Sequence, residues 1–150
     1  MKSIITLFFT ALTFTVAGTS CIKNQSENDT ASEADKKLVN TKWKITAQYS
    51  YPLSNPASQY DEFQTWKSCD KDDIYHFESY DHLKRYSGNT KCEASENSML
   101  GEIGWYFTEN DKTLVLRNAE YRVLEFSENK LQLEGYQSDG RALVTTYDKQ

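Results

Sequence analysis

The stretch Lys42–Tyr51, "KWKITAQYSY", decides the architecture. Trp43, Ile45, Ala47, Tyr49 and Tyr51 alternate with Lys44, Thr46, Gln48 and Ser50. A repeat of two rather than 3.6 residues turns one side of an extended chain toward an apolar interior and the other toward water, so the stretch reads as a strand with one buried face. Downstream the pattern recurs. "DIYHFES" (73–79) sets Tyr75 and Phe77 on one face, and "LKRYSG" (83–88) is a further short run. "EIGWYFT" (102–108) groups Ile103, Trp105 and Phe107, and "TLVLR" (113–117) groups Leu114 and Leu116. "YRVLEFS", "KLQLEGY" and "RALVTTYD" follow, set apart by the turn clusters "SENK" and "SDG". The expectation is an all-β domain of eight short antiparallel strands. Closing them into an up-and-down barrel removes the unpaired edges that an open sheet would expose.

Between the first two strands, "PLSNPASQYDEFQTWKSC" (52–69) holds both prolines. Asn55 before Pro56 suits a helix cap with proline at the first helical position. Tyr60, Phe63 and Trp66 recur every three residues, which predicts a helix of two to three turns lying across one end of the barrel.

The N-terminal twenty residues, "MKSIITLFFTALTFTVAGTS", are one lysine, an apolar and threonine-rich run and a small-residue close, the layout of an export signal. The apolar run is too short to span a bilayer. "AGTSC" (17–21) resembles the lipobox of bacterial lipoproteins, which implies cleavage before Cys21 and lipidation of its sulfur. An ordinary secretory cut after a small residue is the alternative. Residues 21–37 have almost no large apolar side chains and cannot offset the entropy of ordering, so they read as a flexible tether reaching on the order of 20 Å. The folded domain is then 38–150.

The formal charge of −5 becomes −6 once Lys2 leaves with the leader. An acidic domain argues against nucleic acid as a partner, because phosphate binding is driven largely by cationic side chains. Cys69 and Cys92 are an even pair in an exported chain, the usual condition for a disulfide. Three cysteines thus divide into one anchor and one bridge.

"WKSCDKDDIYHF" (66–77) crowds a cysteine, three aspartates and a histidine together and raises a metal site as a possibility. Asp70, Asp72 and Asp73 supply only fragments of a calcium loop, oxidation of Cys69 removes a zinc-binding thiolate, and His76 falls on the face opposite Tyr75 and Phe77. A disulfide followed by an acidic turn into a strand is the simpler reading. The chain has no nucleophile elbow, no phosphate loop and no His-Glu-x-x-His motif, so neither enzyme nor cofactor is expected.

"LVNTKWKI", "CDKDDIYHF", Cys92, "GWYF" and "LVLRNAEYRVLEFSENKLQLEGY" together resemble the lipocalin-like lipoproteins of Bacteroidota over residues 38–150. The resemblance implies a lipocalin-like barrel, a Cys69–Cys92 bridge and attachment to the cell envelope, with the outer membrane as the expected site. Lipocalins proper favour glycine two residues before the tryptophan, whereas this chain has Thr41 before Trp43. An eight-stranded barrel is just wide enough to be filled by side chains or to hold one small ligand. The large aromatics favour filling, with a residual pocket left beneath Tyr60, Phe63 and Trp66. The expected function is therefore non-enzymatic: a monomer, anchored to the membrane by its N-terminal lipid, binding a small apolar or amphipathic molecule. Tyr60, Phe63, Trp66, Trp43, Tyr75 and Trp105 are the candidate ligand contacts. The competing expectation is a protein-binding envelope lipoprotein, such as a hydrolase inhibitor, acting through its loops.

Overall fold

The computed structural model describes residues 31–108 and 110–150. The leader, Cys21 and most of the tether lie outside the described residues. The elements are α1 (Glu33–Leu38), β1 (Thr41–Pro52), β2 (Tyr60–Asp61), a 3-10 turn (Phe63–Thr65), α2 (Ser68–Lys71), β3 (Ile74–Ser79), β4 (His82–Tyr86), β5 (Met99–Ile103), β6 (Trp105–Thr108), β7 (Thr113–Leu116), β8 (Ala119–Phe126), β9 (Lys130–Tyr136) and β10 (Arg141–Lys149). Every strand pairs antiparallel in one sheet, ordered β5-β4-β3-β1-β10-β9-β8-β7-β6, with β2 on β1. The sheet's two ends, β5 and β6, are neighbours in the chain, so the sheet is rolled into a nearly closed barrel.

Three expectations are corrected. The sheet has ten strands rather than eight. One of the additional strands is the two-residue β2. The other arises because "EIGWYFT" breaks at Gly104, so that β5 pairs with β4 and β6 pairs with β7. The helix expected over 55–66 does not form. Asn55 and Ser58 close backbone turns onto Pro52 and Asn55, Tyr60 enters a strand, and the helical segment shrinks to the 3-10 turn and the single turn of α2. Finally, the end of the expected tether is ordered. Ser32 and Asp35 form a reciprocal capping box at the N-terminus of α1, and Ala34 and Leu38 are buried. Those two apolar residues supply the burial that composition alone concealed.

The core lies within the barrel at the end where β1 begins and β3 finishes. Leu38, Trp43, Phe77, Trp105, Leu114 and Leu131 are almost wholly excluded from water. Phe77 meets Trp105 edge to face at 5.1 Å, and Phe107 stacks on Phe126 at 5.9 Å. The indole N–H of Trp105 donates to the Ser79 carbonyl at 2.8 Å, and that of Trp43 donates to Thr41 Oγ1 at 2.7 Å. Thr41 thus partners the buried tryptophan two residues on.

A β-bulge between Ile45 and Ala47 reverses the facing of β1. Trp43 and Ile45 point into the core, but Tyr49 and Tyr51 pair with Val144 and Ala142, which alternate with the inward-facing Tyr147 and Thr145. Tyr49 and Tyr51 therefore lie on the outer face, and Gln48 and Ser50 take the inner positions. The expected single face of "KWKITAQYSY" is divided between the two sides of the sheet.

Candidate functional site

The barrel's other end is where β1 and β4 finish and β3 and β10 begin. Register places Tyr75 and Arg85 opposite each other on the inner face, and Tyr147, Thr145, Leu143 and Arg141 follow one another inward along β10. Tyr121 is inward too, its ring lying over Gly135. A Cβ on that glycine would stand 2.8 Å from Tyr121 Cε1, so the close approach needs glycine. This end keeps Tyr75, Arg85, Tyr121, Phe63 and Trp66 only partly buried, whereas Trp43, Phe77 and Trp105 at the other are fully buried. It is a mouth.

Aromatic rings form much of its wall. Tyr75 and Tyr147 meet edge to face at 5.6 Å, and the Arg85 guanidinium sits 6.0 Å from the Tyr75 ring centroid. Burial raises the phenol pKa of both tyrosines, and for Tyr147 the neighbouring Tyr75 and Tyr121 hydroxyls add to it. Both are therefore neutral hydrogen-bonding groups at physiological pH. Phe63 and Trp66 pack at 5.4 Å and rest against the core cluster, with the Lys71 ammonium 5.1 Å from the Phe63 ring centroid.

Two ion-pair clusters flank these rings. Arg85 Nε donates to Asp73 Oδ2 at 2.7 Å, and Arg85 Nη2 reaches Asp70 Oδ1 at 3.1 Å. Burial raises the Asp73 pKa, opposed by the Arg85 hydrogen bond and charge. Across the mouth, Arg141 Nη1 donates to Ser50 Oγ and Glu62 Oε1, each at 3.2 Å, and Arg141 Nε donates to Asp139 Oδ2 at 2.8 Å. Buried Ser50 donates to the same Glu62 oxygen at 2.5 Å, and Gln48 Nε2 donates to Thr145 Oγ1 at 3.0 Å. The sequence reading missed these polar inner positions, because the bulge that creates them leaves no mark on the alternation.

Two clefts open beside the mouth. One, of ≈ 680 Å³, is lined by residues including Tyr60, Glu62, Gln64 and Arg141. The other, of ≈ 500 Å³, lies at the β5–β7 gap and is lined by Ile103, Leu116, Arg117, Asn118, Ala119 and Tyr121.

The expected contacts therefore separate. Phe63, Trp66 and Tyr75 are at the mouth. Tyr60 is on the rim, more than half exposed, and is not stacked with Phe63 and Trp66. Trp43 and Trp105 are sealed in the core at the far end.

Cys69 and Cys92 form a disulfide with Cα atoms 5.2 Å apart, fastening α2 to the loop between β4 and β5. A bridged pair indicates an oxidising compartment, as in exported proteins. Cys69, Asp70 and Cys92 are the grouping of metal-ligand type among the described residues, but both sulfurs are spent in the bridge. No helix among the described residues is long and apolar enough to cross a membrane.

A second polar centre lies outside the barrel wall. Glu134, on the outer face of β9, is 1% exposed. The Tyr51 hydroxyl donates to its Oε1. Arg122 Nε and Nη2 donate to Oε2 at 2.8 and 2.6 Å, and the Tyr136 hydroxyl does so at 2.9 Å. Burial acts to raise the Glu134 pKa, but the hydrogen bonds from Tyr51, Arg122 and Tyr136 outweigh it and hold it below the ordinary carboxylate value. The hydrogen bond to Glu134, reinforced by burial, pushes Tyr51 up to about 12. With its acceptors fully engaged, this centre works as a latch of the wall rather than as an open site.

The class these features define is an all-β, antiparallel, nearly closed barrel with few helices. No family model and no curated protein matches the sequence. Among solved structures, a redesigned β-barrel is similar to it, aligning with 81% of this chain and 99% of its own at 14% identity and a TM-score of 0.37.

Proposed function

We propose that this protein is an exported, lipid-anchored, non-enzymatic barrel of the cell envelope that binds a small apolar or amphipathic molecule at its mouth. The observation that supports the reading is the asymmetry of the interior. At one end Leu38, Trp43, Phe77 and Trp105 are fully buried, with Phe107 and Phe126 partly buried beside them; at the other the large rings Tyr75, Tyr121 and Trp66 lie on the inner side or against the core and all keep part of their surface accessible. Ligand sites combine apolar and aromatic walls with a few placed polar groups, and Gln48, Thr145, Ser50 and Tyr147 are such groups here. The export leader, the lipobox-like "AGTSC" and the disulfide support the address.

The test is titration of the purified protein with the uncharged fluorophore N-phenyl-1-naphthylamine. Saturable binding is expected, with energy transfer from Trp66. Trp66→Ala should weaken it about tenfold, a loss of about 1.4 kcal/mol, while leaving the fold intact. Trp43→Ala should instead cost about 3–5 kcal/mol of stability, the range for removing a buried tryptophan. If no saturable binding occurs and Trp66→Ala unfolds the domain as Trp43→Ala does, the rings merely plug the end. That result would reject ligand binding and favour recognition of a protein through the loops.

A further inference from the structure

The polar groups at the mouth specify the kind of molecule it takes. Resting on the reading above, we infer that the mouth selects amphiphiles with a cationic or neutral head group and discriminates against carboxylates such as free fatty acids. Barrels that hold a fatty-acid anion need an unspent cation at the carboxylate, because a buried charge without a partner costs far more than the chain's burial can offset.

Two inward-facing arginines could serve, and both are already spent. Arg85 is held by Asp73 and Asp70, and Arg141 by Glu62 and Asp139. Each guanidinium faces two carboxylates, so each cluster has a net charge of −1 and the two clusters together −2. The clusters stand on both sides of the aromatic wall, one reached from β3 and β4 and the other from β1, β2 and β10. A carboxylate head entering between them would meet acceptors and a negative potential on either side. A quaternary ammonium would meet a favourable potential and the partly exposed ring of Trp66, which attracts cations. A neutral hydroxyl or amide head would find Gln48, Thr145 and the Tyr147 hydroxyl without displacing an ion pair. Lys71, whose ammonium lies over Phe63 and 3.4 Å from the Gln64 carbonyl, adds one positive charge and leaves the balance negative at −1.

The experiment displaces bound N-phenyl-1-naphthylamine with three twelve-carbon amphiphiles below their micelle concentrations at low salt: dodecyltrimethylammonium, 1-dodecanol and dodecanoate. The first two should displace the probe at concentrations about tenfold lower than dodecanoate. The double variant E62Q/D139N removes both carboxylates from Arg141. It should collapse the preference of trimethylammonium over carboxylate about tenfold, chiefly by tightening dodecanoate. Attraction of the cation to the acidic protein as a whole would leave that ratio nearly unchanged, and such a result overturns the inference. Dodecanoate binding best to the unaltered protein also overturns it while leaving ligand binding standing. If the probe binds nothing saturably, ligand binding itself fails, and the inference with it.

Discussion

Replacing Glu134 with Gln tests whether the outer latch stabilises the wall. The change keeps the side chain's size and one carbonyl acceptor, but removes the charge and turns one acceptor into a donor facing Tyr51 or Arg122 and Tyr136. Charge-assisted hydrogen bonds contribute about 1.5–3 kcal/mol net, against about 1 kcal/mol for neutral ones. The Arg122 side chain is 58% exposed, so solvent screens its two bonds and together they count for no more than about 1 kcal/mol. Tyr136 is similarly open to water, which leaves Tyr51 as the donor that loses most. The expected destabilisation is about 2 kcal/mol at neutral pH. With a urea dependence of about 1.5 kcal/mol/M, the unfolding midpoint should fall by about 1.3 M.

The same centre fixes the pH dependence. A carboxyl whose folded pKa is depressed stabilises the fold above its unfolded pKa, and that contribution disappears as pH falls through the lower folded value. The ordinary value is 4.5 and the Glu134 value lies below it. The gap between the native protein and E134Q should therefore be full at neutral pH and close as the pH drops beneath the carboxylate range. In alkaline titration Tyr51 should ionise only near pH 12 in the native protein and earlier in E134Q. A variant within about 0.5 kcal/mol of the native protein at neutral pH would refute the assignment, that being the ordinary range of a surface change. So would a gap that does not narrow in acid.

The double change C69S/C92S opens a crosslink of sequence separation 23. It should lower stability by about 3 kcal/mol on the chain-entropy account, read as a drop in thermal midpoint that reductant does not add to. Gly135→Ala forces its Cβ against the Tyr121 ring and should cost about 1–2 kcal/mol, while Gly101→Ala, with open space around it, should be close to neutral in the same urea assay. Cys21→Ser should move the protein from the membrane to the soluble fraction of fractionated cells; unchanged partitioning would show that no lipid is attached there.

Much of the wall could be read from the alternation of apolar and polar residues, because burial of one face imposes a period of two whatever the partners are. What alternation cannot report is a change of face. Ala47, Tyr49 and Tyr51 continue the apolar beat of Trp43 and Ile45, and the bulge that sends them outside is hidden because Tyr49 and Tyr51 are half-buried there too, beside the buried Val144, Ala142 and Glu134. The site suffered from the same blindness. Gln48, Ser50 and Arg141 read as solvent-facing residues, although they line the mouth. The triad Tyr60, Phe63 and Trp66 has helical spacing, yet strand pairing of Tyr60 with Ser50 outcompetes a helix too short to stand alone. The break at Gly104 leaves only a glycine as its signal, and Glu134 leaves none, since an acid within "KLQLEGY" is where a solvent face would put one.

The sheet order has a bearing on when this domain can fold at all. β1 pairs with β10 from Trp43–Lys149 to Pro52–Arg141, so the first long strand to be synthesised is completed by the last. Hairpins such as β9–β10 can form as they emerge, but β1 must wait for nearly the whole domain before it finds that neighbour. Contacts so distant in sequence make folding slow, with two-state β folds of this kind taking milliseconds to seconds. A chain threaded through a membrane from its N-terminus would thus remain unfolded during passage, without a holding partner, and would reach its native state only after the strand that closes the ring had arrived.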